Sequence, residues 1–397
     1  MRNTTHMPIA TAERKRTAVR FVILLGIVSL FADMTYEGAR NVTGPYLALL
    51  GASATAVGFI AGFGELLGYG LRLASGYLSD RTGRYWAFTL AGYSLNLLVV
   101  PLLALAGNWE IAAALMIAER AGKALRSPAR DAMLANATKE MGRGWGFGLH
   151  EAMDQIGAML GPMIVAVVLY VRGTYQAGFA VLLLPALLAL AVLATARWLY
   201  PRPQELEAST IDGETSGLPR AFWFYLLGVA FLAAGFADFP LIAFHFQQAS
   251  SVPQNWIPVF YAVAMGVDAL AAIVFGRLFD KIGLTVLLFV ALLSAFFAPL
   301  VFSTGFFAAL GGMVLWGASM GAQESIMRAA VAGMVPANRR GAAYGIFNTG
   351  YGVAWFAGSA LMGILYDISM PMLIAFSVIV QLAAVPVLYL LAKERIH

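Results

Sequence analysis

The sequence predicts an all-α membrane protein, with twelve transmembrane helices arranged as two matched six-helix bundles. Three observations predict it. First, 60% of the 397 residues are hydrophobic and only 12% charged, with a mean hydropathy of +0.76. That little charge cannot cover the surface of a soluble protein of this length. Second, apolar runs of 18 or more residues recur along the chain. A helix needs that length to cross a bilayer, whereas barrel strands would alternate apolar and polar over about 10 residues. Third, RGWGFGLHEAMDQIGAMLGP at 143–162 returns 197 residues later as RGAAYGIFNTGYGVAWFAGS.

Twelve apolar segments are counted, at 20–45, 54–78, 85–107, 110–134, 144–171, 175–199, 220–247, 256–279, 284–303, 306–335, 341–366 and 370–392. The N-terminal tail carries Arg14, Lys15, Arg16 and Arg20 before an apolar run, as a signal peptide does. No A-x-A-like cleavage site follows and the run continues into Asp33 and Glu37, so a retained first helix is expected. Basic residues gather in that tail, in the links holding Arg81/Arg84, Lys139/Arg143, Arg202/Arg220, Lys281 and Arg339/Arg340, and in the tail with Lys393/Arg395. The alternate links are nearly free of Lys and Arg, with Arg172 the main exception. The positive-inside rule then places both termini in the cytoplasm, and a cell (inner) membrane location is expected. The longest link, PRPQELEASTIDGETSGLP at 201–219, is rich in Pro, Glu and Ser. It is expected to be a cytoplasmic hinge between an N-terminal bundle, 1–200, and a C-terminal bundle, 220–397.

The halves repeat. Arg143 falls on Arg340, Gly144 on Gly341, Phe147 on Tyr344, Gly148 on Gly345 and Gly161 on Gly358. The copy loses His150, Glu151 and Asp154. Gly76–Asp80–Gly83 (GYLSDRTG) returns 200 residues on as Gly276–Asp280–Gly283 (GRLFDKIG), and Phe31-Ala32-Asp33 returns 205 on as Phe236-Ala237-Asp238. Duplicated six-helix units are a transporter signature, with a site near mid-membrane where the halves meet.

GYLSDRTGRY resembles the signature loop between helices two and three of the major facilitator superfamily, with Tyr85 departing from its final Arg. Gly148-x8-Gly157-x3-Gly161-Pro162 resembles the helix-five signature of that superfamily's antiporters, although Val165 and Ala166 replace the Gly-Gly that usually follows. The resemblance implies alternating access, rocking of one bundle against the other, and a proton gradient as the energy source.

An ionised side chain at the bilayer centre costs at least about 2.5–3.5 kcal/mol on insertion scales, so each one marks a candidate site. Helix one carries Asp33, Glu37 and Arg40, and helix two Glu65 and Arg72. Helix four carries Glu119, Arg120, Lys123 and Arg126, and helix five His150, Glu151 and Asp154. In the second half come Asp238 and His245, Asp268, then Glu324 with Arg328, and helix eleven adds Asn348 and Tyr351. Helices three, six, nine and twelve carry no interior charge and are expected to face lipid. By helical rise, Asp33 lies about 20 Å from Arg20, past the middle of a core about 30 Å thick. Asp154 and Asp268 are also near mid-depth.

Each candidate has two readings. Burial favours the neutral form of a carboxyl, so Asp33 and Glu37 are expected to carry protons; the alternative is permanent pairing with Arg40 or Lys123. Asp154, with His150 and Glu151, is expected to couple or bind substrate, against a lock to Arg120 or Lys123 on helix four. Glu324/Arg328 is expected to be a structural i,i+4 ion pair. Asp238 and Asp268 stay open between the two readings, and His245 is expected to be ordinary. The loop residues Gly76, Asp80, Arg81, Gly83 and Arg84 are expected to gate. Asp80 would meet the N-terminus of helix eleven at Arg340-Gly341, and Asp280 that of helix five. Gly148, Gly157, Gly161 and Pro162 are expected to form a hinge, with a weak point at Gly161-Pro162.

Several classes are excluded or disfavoured. The net charge of +5 and pI near 9.4 form no continuous basic face, so no nucleic-acid partner is expected. No cysteine is present, hence no disulfide framework and no thiolate site. No phosphate loop or nucleophile elbow appears, so neither an enzyme nor a cofactor is expected. Seventeen Met residues, Met159 and Met163 among them, are taken as packing rather than a metal site. The expected function is proton-coupled export of a small organic molecule by a monomer in the lipid bilayer. The alternatives are an uptake symporter, a divalent-metal exporter (GLHEAMD loosely resembles nickel-resistance exporters of the superfamily) and a non-transporting receptor.

Overall fold

A computed structural model describes residues 9–138, 143–201, 218–334 and 340–394. Some side chains within these ranges lie outside the description, those of Asp80, Glu151, Asp280 and Arg328 among them. The chain is helical throughout, with no strand among the described residues. The helices are α1 (Ile9–Leu49), α2 (Ala54–Thr82), α3 (Tyr85–Leu102), α4 (Trp109–Thr138) and α5 (Arg143–Arg172). They continue with α6 (Tyr175–Val181), α7 (Leu183–Leu199), α8 (Arg220–Gly235), α9 (Phe239–Gln248) and α10 (Ile257–Ile282). The last are α11 (Val286–Ala295), α12 (Phe297–Val301), α13 (Phe306–Met334), α14 (Arg340–Ile368) and α15 (Met370–Glu394). The pairs α6/α7, α8/α9 and α11/α12 each make one crossing.

Eleven crossings are long and apolar enough to span a bilayer among the described residues. The twelfth, α4, is thirty residues long but holds Glu119, Arg120, Lys123, Arg126, Arg130 and Asp131. It is packed among α1, α2, α3 and α5, which surround its charges with partners and shield them from lipid. The exposed faces of α3, α7, α11 and α15 are apolar, with Leu98, Leu187, Phe289 and Ile379 among their exposed side chains. These are the four crossings that carry no interior charge in the sequence.

The glycine spacing of the repeated loop has a local cause. Gly83 ends α2 at φ +65° and Gly283 ends α10 at φ +60°, a region that favours glycine. Gly76 lies against Pro128 of α4 and Gly276 against Ser325 of α13. The contacts expected of Asp80 and Asp280 fall on side chains outside the described residues. Arg81 and Arg84 are exposed.

The packing repeats as well. A Cβ at Gly161 would overlap the carbonyl of Met34 on α1, and one at Gly358 would overlap that of Ala234 on α8. Aligned glycines therefore hold α5 against α1 and α14 against α8. Gly157 extends the first seam by one turn, against the carbonyl of Leu30. Pro162 does not end α5, which runs unbroken to Arg172, so the expected weak point is absent as a helix end. The break falls instead between α8 and α9. Pro240 lacks an N–H and its ring excludes the carbonyl of Phe236, four residues back, so the chain opens at Phe236–Asp238. In α1 the matching Phe31-Ala32-Asp33 is followed by Met34-Thr35 and stays helical.

Across the halves, α2 packs along α14, α5 along α10 and α1 along α9.

Candidate substrate and coupling chamber

The candidate charges gather in two connected layers. The upper layer centres on Arg40. Its Nη2 lies 3.2 Å from Glu65 Oε1 and 3.3 Å from Asp238 Oδ1, and its Nη1 lies 3.8 Å from Glu37 Oε1. Arg120 joins through Glu65 at 3.3 Å and Glu119 at 3.4 Å, and Asn96 donates to Glu119 Oε1 at 2.7 Å. Lys123 Nζ reaches Glu37 Oε1 at 3.9 Å, and Tyr261 of α10 donates a short hydrogen bond to Glu37 Oε2. Asp238 also caps α9 by accepting from Phe239 N, and takes a bond from Trp355 Nε1 at 3.3 Å. Ion pairs of this kind hold only where the remaining lone pairs are also satisfied, and here almost every carboxylate oxygen has a donor.

A small cleft opens beside this layer, lined by Tyr36, Arg40, Glu119, Arg120, Asp238 and Pro240 among others. Tyr351 lies against Tyr69 and Trp355, at ring separations of 5.9 and 5.6 Å, and the Arg72 guanidinium sits 5.5 Å over the Tyr69 ring. Asn348 is half-buried and Glu324 exposed.

The lower layer lies nearer the end of the bundle that carries the α2–α3 and α4–α5 links, here the terminal face. Asp33 and Asp154 adjoin there on α1 and α5, with Lys123 and Arg126 as cationic neighbours. Asp33 is 6% exposed, and its Oδ1 is buried without a hydrogen-bond donor among the described residues. Asp154 Oδ2 lies 3.4 Å from His150 Nδ1. His150 Nε2 lies 3.0 Å from Ser29 Oγ, which accepts from Arg130 Nη1 at 3.2 Å. Arg126 is 1% exposed and has no ion pair among the described residues. Its guanidinium sits 4.1 Å over the Tyr93 ring, and Lys123 Nζ sits 4.0 Å over that of Tyr36. Cation–π contact stands in for a close ion pair at Arg126, near Asp33 and Asp154, and supplements the long Glu37 contact at Lys123.

Glu37 has the permanent-partner environment, held by Arg40, Lys123 and Tyr261. Asp33 does not. Asp154 is tied neither to Arg120 nor to Lys123: its partner is His150 on its own helix. Asp268 is buried against Gly321 of α13. His245 is buried at the far end of α9, where its Nδ1 meets Tyr366 Oη at 3.0 Å. Among the described residues no group of three or more His, Asp or Glu is arranged to hold a metal ion. The Glu151 and Arg328 side chains lie outside the described residues, and with them the Glu324/Arg328 pair.

Several participants went unnoticed in the sequence: Ser29, Tyr36, Tyr93, Asn96, Arg130 and Tyr261. Only Arg130 left a periodic signal. Glu119, Lys123, Arg126 and Arg130 follow i, i+4, i+7, i+11, one helical face continued for a further turn.

The sequence pattern of the Major Facilitator Superfamily matches residues 23–359, and again 239–396 on the second half. The chain belongs to the Major Facilitator Superfamily. It is therefore an integral membrane protein and a secondary transporter of a small-molecule substrate. It is 42% identical over 387 residues to the uncharacterized protein Rv2265 of Mycobacterium tuberculosis, covering 96% of this chain and 95% of that one. It is 24% identical over 369 residues to the uncharacterized MFS-type transporter MJ1317 of Methanocaldococcus jannaschii, covering 90% and 91%. Among solved structures, a peptide transporter POT in complex with sulfate aligns with a TM-score of 0.76 at 15% identity, over 95% of this chain and 94% of that one. An inward-facing bacterial homologue of the human lysosomal transporter Spinster aligns at 0.71 and 14%, over 95% of each. At such identities these two structures speak for the fold alone.

Proposed function

We propose that this superfamily member is a proton-coupled exporter of a small organic molecule, with Asp33 as the proton carrier. Residues 1–200 and 220–397 would rock about the 201–219 link, as a monomer in the cell membrane with both termini cytoplasmic. The proton gradient alone would supply the energy, without a cofactor. The observation that carries this reading is the contrast between Asp33 and Glu37, one helical turn apart. Glu37 is held by two cations and a tyrosine, whereas Asp33 Oδ1 is buried without a donor beside a second carboxylate, Asp154. Two carboxylates so placed can hold one proton between them and exchange it as the chamber opens to either side. Export, rather than uptake, is supported by the likeness of Gly148–Pro162 to the antiporter helix-five signature.

Proteoliposomes with an internal pH dye test it, screened against organic cations, neutral aromatics and organic anions. The expected result is substrate-driven proton movement opposite to substrate, lost in Asp33→Asn while substrate counterflow persists. Proton movement in the same direction as substrate would make it a symporter. Undiminished coupling in Asp33→Asn would remove Asp33 from the mechanism.

A further inference from the structure

The lower layer contains an ordered chain of hydrogen-bonding groups that the coupling reading does not itself require. Arg130 can only donate, so Ser29 Oγ is its acceptor at 3.2 Å. An ionised Asp154 can only accept, so His150 presents Nδ1–H to it across 3.4 Å. That leaves Nε2 unprotonated, to accept the Ser29 hydroxyl hydrogen at 3.0 Å. Arg130, Ser29 and His150 thus donate in one direction, towards the Asp154 carboxylate. The order of groups is that of a nucleophilic triad, but Ser29 is fully buried, so no substrate carbonyl can reach it. Such a chain, closed to substrate and joined at one end to a carboxylate pair, suits proton conduction.

Its direction along the bundle agrees. Ser29 precedes Asp33 by one turn on α1, and His150 precedes Asp154 by one turn on α5, both towards the terminal face. Arg130 lies beyond them on α4, bonded at 2.8 Å to Asp131, whose side chain is 51% exposed. The other groups around Ser29 and the Asp33/Asp154 pair are Tyr36 on α1, Tyr93 on α3, and Lys123 and Arg126 on α4. On α10, which also packs against α5, the ionisable Asp268 packs against Gly321 of α13.

We propose that Ser29 and His150 are the path by which a proton passes between solvent at the terminal face and Asp154, an inference that rests on the coupling role given to the Asp33/Asp154 pair. On loading, with the halves open at the terminal face, a hydronium that reaches Ser29 gives one proton to Oγ. The hydroxyl hydrogen of Ser29 moves to His150 Nε2, and the Nδ1 hydrogen moves to Asp154. Water is left outside, Asp154 is neutral and His150 is neutral as the other tautomer. Release to the same face reverses each hop.

Stopped-flow acid jumps on the purified full-length protein, read with pyranine as the proton probe, test this without a known substrate. The expected wild-type record contains an uptake component that is absent in Asp154→Asn or Asp33→Asn. Ser29→Ala and His150→Gln are expected to slow that component about a hundredfold while keeping its amplitude, the scale on which a positioned proton-transfer group acts. A group that only supports the fold would change amplitude, not rate alone. Wild-type rates in both variants would overturn the relay and leave the coupling pair standing. A wild-type record with no component sensitive to Asp33 or Asp154 would instead overturn the coupling reading. Because the chain has four histidines, ring-nitrogen NMR gives an independent reading. His150, assigned by His150→Gln, is expected as the Nδ1–H tautomer; an Nε2–H tautomer indifferent to Asp154→Asn would also overturn the relay.

Discussion

The carboxylate of Asp367, at the end of α14, closes the start of α2 at Thr55. Its Oδ2 accepts from Thr55 N at 2.8 Å and from Thr55 Oγ1 at 2.6 Å, and its Oδ1 accepts from Ala54 N at 3.2 Å. The first amides of a helix have no partner within it and favour negative charge, so this carboxylate serves both needs from the opposite half of the molecule. Tyr175 bridges the halves on the same face by donating to Gln247 at 2.8 Å. The cap can exist only while the halves are shut on that face.

Asp367→Ala is therefore expected to favour the state open there. A helix cap contributes about 1 kcal/mol, which corresponds to roughly a fivefold change in population. The chain has no cysteine, so spin labels at Gly107→Cys and Thr304→Cys report on that face without background. Their distance distribution is expected to gain a longer component in the variant. An unchanged distribution would mean that the cap does not bias the rocking.

The α1–α5 seam gives a stability prediction. A methyl group at Gly161 would overlap the backbone of Met34, and a backbone can only shift as a whole. Gly161→Ala is expected to destabilise the protein by about 1–3 kcal/mol. Gly68 meets nothing within 4 Å, so Gly68→Ala serves as the control and is expected to be neutral or slightly stabilising. Thermal unfolding of the two variants in detergent decides it. Equal midpoints would show that α5 is not held by this contact.

The architecture was legible because it is written in quantities that sequence carries directly: run lengths, the charge-free third, sixth, ninth and twelfth crossings, and glycines that recur at fixed offsets. The site was legible only where charge itself was the signal. Asp33, Glu37, Arg40 and Asp154 stand out in an apolar run; Ser29, Tyr93 and Tyr261 do not, because a hydroxyl in a membrane helix is common and its partner lies 64 to 224 residues away. Pairing was not legible either. Glu37 and Asp33 share a face of α1, and only the position of Tyr261 on α10 and of Lys123 on α4 separates the held carboxylate from the one whose Oδ1 lacks a donor.

Tyr261 isolates one of those partners. Tyr261→Phe keeps the ring contacts with Phe239 at 4.4 Å and Trp316 at 6.3 Å while removing the hydroxyl that donates to Glu37. A hydrogen bond to a charged group is worth about 1.5–3 kcal/mol. Because this bond joins the halves, the loss is expected to appear both as a lower unfolding midpoint and as weaker closure in the Gly107/Thr304 distance measurement. A variant matching wild type in both would show that Arg40 and Lys123 hold Glu37 unaided.

Arg40 and Asp238 supply the most demanding case, because Asp238 is buried, Arg40 is mostly so, and the pair spans the two halves with other partners on each side. Removing one member of such a pair leaves an uncompensated charge, so Arg40→Gln and Asp238→Asn are each expected to cost about 3–5 kcal/mol. The double variant leaves fewer orphans than the sum of the singles, since the charges vanish together. Asp238 keeps its cap on Phe239 and its bond from Trp355 in part as an asparagine, whereas Arg40 also releases Glu65 and Glu37. The cycle is therefore expected to be asymmetric, with Arg40→Gln the more damaging single change and a coupling of about 0.5–3 kcal/mol between them. Equilibrium unfolding in mixed micelles measures all four corners. Additive losses would mean that the 3.3 Å approach carries no energy of its own and that Glu65 and Glu37 anchor the guanidinium without it.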